Sequence, residues 1–236
     1  ALFIFGIGKA ALMPFHFWLP AAMVAPTPVS ALLHAVAVVK AGVFGIIKVI
    51  IYIFGIETLQ ITDASSWLPV VSGFTIIVAS IVALNSNNLK RRLAYSTVSQ
   101  LSYVILAISM LNPFAIIASV FHLVAHAFGK ITLFFAAGAI YTSLHKTEIS
   151  ELNGVGRQMP LTMIAFSLGV LCMIGLPISG GFVSKWFFLT GAISNDLWFV
   201  LGILLISTIL NVAYFVPIIY KAFFLKPITD EIMFDK

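Results

Sequence analysis

Residues 119 to 135 read "SVFHLVAHAFGKITLFF", an apolar run that carries His122, His126 and Lys130. Their spacing is i, i+4, i+8, so in a helix they share one face over a rise of roughly 12 Å. A cation at the centre of a bilayer costs at least ~2.5–3.5 kcal/mol, and ionisable groups inside a membrane face the bundle interior or a wet cavity. The run therefore predicts a membrane helix whose polar stripe is turned inward and serves ion movement.

The rest of the chain fits that solvent. Of 236 residues, 61% are hydrophobic and 9% charged, with a mean hydropathy of +1.11. Soluble domains use roughly 45–50% apolar and 25% charged residues. Apolar runs fall at about 1 to 22, 28 to 54, 69 to 86, 94 to 111, 113 to 141, 160 to 191 and 197 to 221, most of them near the roughly 20 residues that a helix needs to cross a bilayer. The short alternating strands of an outer-membrane barrel are absent from the sequence. The predicted fold is an all-α polytopic membrane protein with about seven transmembrane helices, two of them discontinuous. Pro14 breaks the first run, and Pro177, Gly180 and Gly181 break the sixth, because proline lacks the N–H donor and glycine has little helical preference. The chain opens "ALFIFGIGK", already apolar and without Met, which is the expectation for a fragment.

Charge fixes a predicted orientation. The 55 to 68 connection carries Glu57 and Asp63 and no base, whereas Lys90, Arg91 and Arg92 mark the next one. Lys146 and Arg157 follow in 142 to 159, only Asp196 lies in 192 to 196, and Lys221, Lys226 and Lys236 mark the tail. Bases fall on alternate connections, which by the positive-inside rule places the 85 to 93 loop, the 142 to 159 loop and the C-terminus in the cytoplasm. All eight acidic residues lie in connections or the tail. The net charge of +5 is too scattered for a nucleic-acid face.

Seven ionisable residues in the apolar runs are candidates for a proton relay: Lys9, His34, Lys40, His122, His126, Lys130 and Lys185. Burial disfavours a charged ammonium and so suits a lysine to release and regain a proton, while histidine titrates near neutrality. Lys9 precedes the break in "GKAALMPF" and Lys185 follows the break in "GLPISGGFVSK", the placement that transporters use for ion sites near the midplane. Lys48, Lys90 and Lys221 lie nearer segment ends and read as snorkelling residues. His16 and Cys172 read as packing residues, and Ser96, Ser99 and Ser102 are spaced to line a wet path. "GIGKA" lacks the spacing of a phosphate-binding loop. His122 and His126 have no third ligand nearby, so neither a metal nor a cofactor site is expected.

Four stretches carry a family resemblance: "GKAALMPFHFWLPAAMVAPTPVSALLHA", "LKRRLAYSTVSQLSYVIL", "FHLVAHAFGKITLFFAAGAI" and "ELNGVGRQMPLTMIAFSLGVLCMIGLPISGGFVSKWFFLTGAI". Together they resemble the antiporter-like subunits shared by respiratory complex I, Mrp-type sodium/proton antiporters and membrane-bound hydrogenases. The resemblance implies about fourteen helices in two inverted five-helix repeats, of which this chain would be the seventh to the thirteenth. Residues 1 to 54 would then end the first repeat, 69 to 221 form the second, and 222 to 236 a cytoplasmic tail. It also implies that Lys9 is the central lysine on a broken helix and His34 the histidine of the next. His122, His126 and Lys130 would belong to the connecting helix and Lys185 to the second broken helix. Lys40 falls where some members have Lys and others Thr, and the glutamate partner of the central lysine would lie upstream of residue 1. The expected function is proton translocation through buried Lys and His, coupled to redox chemistry in partner subunits that carry iron–sulfur clusters. The alternatives are a monovalent cation/proton antiporter subunit moving sodium, and a scaffold that has lost transport. No catalytic site is visible in this chain, so an oxidoreductase activity would belong to the assembly. Other membrane subunits and the bilayer are the expected partners.

Overall fold

The computed structural model describes residues 8–32 and 37–227. Helix α1 (Val38–Lys48) runs on through a π-helical turn (Val49–Phe54). Gly55, at a φ of 78°, then turns the chain by 80° into the short α2 (Ile56–Thr62). The bundle follows as α3 (Trp67–Asn85), α4 (Leu89–Ile108), α5 (Pro113–Leu144), α6 (Pro160–Ile174), α7 (Gly180–Ser194) and α8 (Trp198–Phe224).

Capping residues set several ends. Asn88 Oδ1 accepts from the Arg91 amide at 3.1 Å and starts α4 five residues before the apolar run does. Asn112 Oδ1 accepts from the Ala115 amide at 2.7 Å, with Pro113 as the first helical residue of α5, the position where a missing N–H costs nothing. Pro14 lies in the non-helical stretch before Trp18, and α6 stops at Gly175, whose φ of 83° suits a residue without Cβ. Pro177 occupies the gap. Gly180 and Gly181, expected to interrupt, instead open α7, whose N-cap Ser179 accepts from the Phe182 amide.

The number of long apolar helices differs from the expected seven. Among the described residues α3, α5 and α8 are long and apolar enough to cross a membrane, or four spans if the bent pair α1–α2 counts as one. Two physical reasons account for the difference. The broken span divides into α6 and α7 of 15 residues each, about 22 Å apiece and short of a bilayer core. Helix α4 is 20 residues long but carries Lys90, Arg91, Arg92 and a series of hydroxyls. Its residues from Arg92 to Ile108 are all buried among neighbouring helices, so lipid never solvates its polar face.

Close approaches between helices use small residues, as in membrane bundles generally. At Gly129 of α5 a side chain would strike Met173 of α6, and at Gly169 of α6 it would strike Leu133 and the Gly129 carbonyl. The tightest crossing joins the two halves of the broken span, where a Cβ on Gly181 would overlap the Cys172 carbonyl oxygen.

The connections gather at two ends. At one, the Leu89 amide donates to Thr147 O at 2.9 Å, the Ile149 amide to Asn87 O at 2.8 Å and the Gly154 amide to Lys221 O at 3.1 Å. This end holds the basic connections. At the other, Gln60 Nε2 donates to Leu111 O at 2.9 Å, Asn112 Nδ2 to Gly191 O at 2.8 Å and Asn195 Nδ2 to Met110 O at 3.2 Å. That end holds Asp63 and Asp196.

Candidate functional site

Helices α4, α5, α7 and α8 enclose a buried polar track. Lys130 is fully buried, and its Nζ donates to Leu93 O at 3.0 Å and to Ser96 Oγ, both on α4. The ammonium also stands 5.6 Å from the centre of the Phe215 ring, within cation–π range. One and two turns back along α5 come His126 and His122, both buried, with ring centroids 6.3 Å apart. Both His126 nitrogens and His122 Nε2 are without a hydrogen-bond partner among the described residues. Buried polar atoms are almost always satisfied by protein or water, so three such nitrogens in succession set this stretch of α5 apart from ordinary packing.

His122 connects to the second broken helix. The Ser184 hydroxyl donates its proton to Gly181 O at 2.9 Å, which leaves its oxygen to accept from His122 Nδ1, also 2.9 Å away. Lys185 follows Ser184 in sequence. Its Nζ donates to Ile174 O at 2.7 Å and to Thr208 Oγ1 at 3.1 Å. Ile174 is the last residue of α6, so the cation caps open carbonyls at the negative end of a half-helix. A cavity of about 190 Å³ lined by Lys185, Thr208 and Trp186 adjoins it.

The other candidates divide. Lys40 is buried on α1 and lies within electrostatic reach of both His126 and Lys130, which brings five of the seven predicted residues onto one track. Lys9 departs from its expected burial. Its backbone packs against Gly42 of α1 while the residue itself is exposed, because the helix break turns its side chain away from the four-helix core. His34 lies outside the described residues. His16 is buried against Phe17 and Tyr95, in keeping with packing. Of the three serines read as a wet path, Ser96 meets Lys130, whereas Ser99 pairs with Ser80 at 2.8 Å and Ser102 donates to Val98 O within its own helix.

Several polar residues of this core had no distinct mark in the sequence. Arg92, read there as a surface charge, is buried and donates to Ser86 O, Tyr214 O and Leu84 O at 2.9, 2.8 and 2.9 Å. Gln100 and Tyr103 on α4, with Ser207, Thr208, Asn211 and Tyr214 on α8, add a set of hydroxyls and amides. A lone Asn or Tyr inside an apolar run looks the same whether it packs or relays, so the available signal was their spacing: Ser96, Gln100 and Tyr103 at i, i+4, i+7, and Ser207, Asn211 and Tyr214 at i, i+4, i+7.

A helical bundle with one buried basic track and a lysine at the break of a discontinuous span defines an antiporter-like membrane subunit. The chain belongs to the NADH:quinone oxidoreductase/Mrp antiporter transmembrane family, which matches residues 1–211. It is 36% identical over 237 residues to NADH-quinone oxidoreductase subunit L of Rickettsia bellii, covering 99% of this chain and 35% of that protein. It is 37% identical over 228 residues to the A/B subunit of a probable K(+)/H(+) antiporter of Rhizobium meliloti, covering 94% of this chain and 22% of the relative. The chain thus spans about a third or less of those relatives. Among solved structures, the membrane-bound sulfane sulfur reductase, an archaeal respiratory membrane complex, matches with a TM-score of 0.85 and 27% identity over 96% of this chain and 47% of that one. The Mrp complex from Dietzia sp. DQ12-45-1b matches with a TM-score of 0.83 over 94% of this chain and 41% of that one, a likeness of fold at 23% identity.

Proposed function

We propose that this chain is a proton-translocating part of a multi-subunit membrane complex, working with redox partners. The observation that carries the reading is the track from Lys40 and Lys130 through His126 and His122 to Lys185. Among the described residues no Asp or Glu is buried beside it, and Lys130 and Lys185 bond to carbonyls and hydroxyls, which leaves these two ammonium groups able to give up protons. A proton leaving Lys130 passes through water to a bare imidazole nitrogen, and from His122 through the Ser184 region to Lys185. Protonated neighbours repel one another strongly where the dielectric is low, so occupancy at Lys130 opposes occupancy at Lys40 and couples successive sites.

The finer assignments follow from the same reading. Residues 1–54 close one repeat and 69–221 form the next, with Leu89–Ile108 and the α6–α7 pair as further membrane crossings. The end that gathers Lys90, Lys146, Arg157 and Lys221 faces the cytoplasm. Proteoliposomes holding the intact parent complex test the central claim. Lys130→Ala and Lys185→Ala are expected to lower the initial proton-translocation rate by at least ten-fold in complexes that assemble normally. Full rates in both would overturn it.

A second reading, a monovalent cation/proton antiporter subunit without redox coupling, is favoured by the 37% identity to the probable K(+)/H(+) antiporter. The partners that co-purify separate the two. Hydrophilic iron–sulfur subunits mark a redox pump, whereas purely membrane partners together with proton flux that requires potassium or sodium mark the antiporter.

A further inference from the structure

Helix α4 stands between two polar stripes. On one side it meets α5 in antiparallel register: Ser96 touches Lys130 at one end, and the Tyr103 ring lies 5.5 Å from the His122 ring at the other. Gln100, between them, falls opposite His126. On the other side α4 meets α8, again antiparallel. Arg92 donates to Tyr214 O, and the Tyr103 hydroxyl is hydrogen-bonded to Ser207 Oγ. Thr208 and Asn211, neighbours of Ser207 along α8, lie beside the Tyr103 hydroxyl. The Tyr214 hydroxyl donates to Asn211 Oδ1, and the Gln100 amide is within reach of that hydroxyl without closing a hydrogen bond to it.

Three amide atoms stand out. Gln100 Oε1, Gln100 Nε2 and Asn211 Nδ2 are fully buried and without a hydrogen-bond partner among the described residues. An amide left so is costly, and internal water with two to four polar partners is the ordinary remedy. In the α4–α5 register set by Ser96–Lys130 and Tyr103–His122, Gln100 lies level with His126, and its amide lies near the Tyr214 hydroxyl, so water at this level would touch both stripes.

We propose that Gln100 is a positioning residue at a branch point, where water passes protons from the Lys130–His126 stripe into a second, histidine-free track through Tyr214, Tyr103 and Thr208 to Lys185. The inference rests on the proton-path reading above and adds to it a route parallel to the imidazoles. Asn211 and Gln100 orient water and do not themselves titrate. Tyr214 turns its hydroxyl from Asn211 Oδ1 to a water when it relays, and each hydroxyl takes a proton on its oxygen as it releases its own to that water or to the next hydroxyl, so no tyrosinate is formed and no net charge is left behind. The last step is from Thr208 Oγ1 to Lys185 Nζ, 3.1 Å away. The Lys185 ammonium also stands 5.7 Å from the centre of the Tyr103 ring, which keeps the two tracks converging on one site.

Parallel routes leave a signature that routes in series do not. In the intact parent complex in sealed vesicles, Tyr103→Phe/Tyr214→Phe, which deletes two oxygen atoms, is expected to lower the proton-translocation rate by no more than about two-fold. His122→Phe alone is expected to do the same. Combining the three is expected to reduce the rate more than fifty-fold, well beyond the product of the separate effects. Thr208→Val in the His122→Phe background repeats the test without touching a tyrosine, and assembly is checked by co-purification of partner subunits. A Tyr103→Phe/Tyr214→Phe complex and a Thr208→Val complex that each leave the rate unchanged in both backgrounds would overturn the branch. If Lys130→Ala also runs at full rate, the fault lies with the proton-path reading; if Lys130→Ala is inactive, the branch alone is wrong.

Discussion

The Lys185 ammonium donates to the Ile174 carbonyl at 2.7 Å, so the second half of the broken span holds the open end of the first. This bond joins structure to the proposed chemistry, because the group assigned above to proton exchange also closes a helix terminus. Replacing Lys185 with Leu leaves the Ile174 carbonyl unpartnered, which costs about 1–3 kcal/mol. The expected outcome is a lower melting temperature in detergent together with loss of proton translocation. Lys185→Arg is expected to restore the melting temperature without the rate, since a guanidinium stays charged at every working pH.

Arg92 is expected to be the strongest structural cation of the chain. Its guanidinium satisfies carbonyls near the end of α3 and on α8, and hydrogen bonds to a charged group contribute about 1.5–3 kcal/mol each. Arg92→Met is expected to reduce the yield of folded protein and lower its melting temperature markedly. The neighbouring Arg91, exposed and 5.8 Å from the Tyr95 ring centre, provides the contrast: Arg91→Gln is expected to shift stability by no more than about 0.5 kcal/mol. Thermal unfolding followed by fluorescence size exclusion compares the two.

Gly181→Ala is expected to prevent assembly, because its Cβ would overlap the Cys172 carbonyl oxygen, a backbone atom that cannot swing aside. Gly202→Ala, at a site with open space around the added methyl, is expected to be neutral or slightly stabilising, as alanine favours helix by up to about 1 kcal/mol over glycine. Expression and monodispersity of the two variants decide the matter.

The Ser184 bond to His122 predicts a spectroscopic state. Neutral His122 is expected to carry its proton on Nδ1, visible as the corresponding nitrogen shifts in solid-state NMR of selectively labelled protein. Ser184→Ala removes the acceptor that fixes this tautomer, so a mixture of the two forms is expected, with a slower proton-translocation rate and little change in stability.

Much of this architecture was legible in the sequence, and the illegible parts share physical causes. The stripe His122, His126, Lys130 was readable because three ionisable groups cannot be scattered around a lipid-facing helix. The start of α5 was readable from Pro113, and the break from Pro177. The start of α4 was not, because Asn88, Lys90, Arg91 and Arg92 look like a loop until Asn88 is seen to cap and Arg92 to turn inward. Lys9, counted in the sequence with the buried bases, is exposed among the described residues, since hydropathy reports the company a residue keeps in sequence and not the surface its side chain meets. Tyr103, Asn211 and Tyr214 went unread because neutral polar groups cost little and leave no charge anomaly to notice.

The two ends of the bundle are tied in different ways. At the basic end side-chain bonds of Asn87 and Asn88 to Ser150 and Glu148 are backed by ties from backbone to backbone, between Leu89 and Thr147, Asn87 and Ile149, and Gly154 and Lys221, and these persist through almost any exchange of side chains. At the opposite end they depend on the amides of Gln60, Asn112 and Asn195, which a single substitution removes. Such a sheaf is riveted at one rim and laced at the other, and natural variation can loosen the laced rim to retune how far it splays while the riveted one keeps the register of every helix.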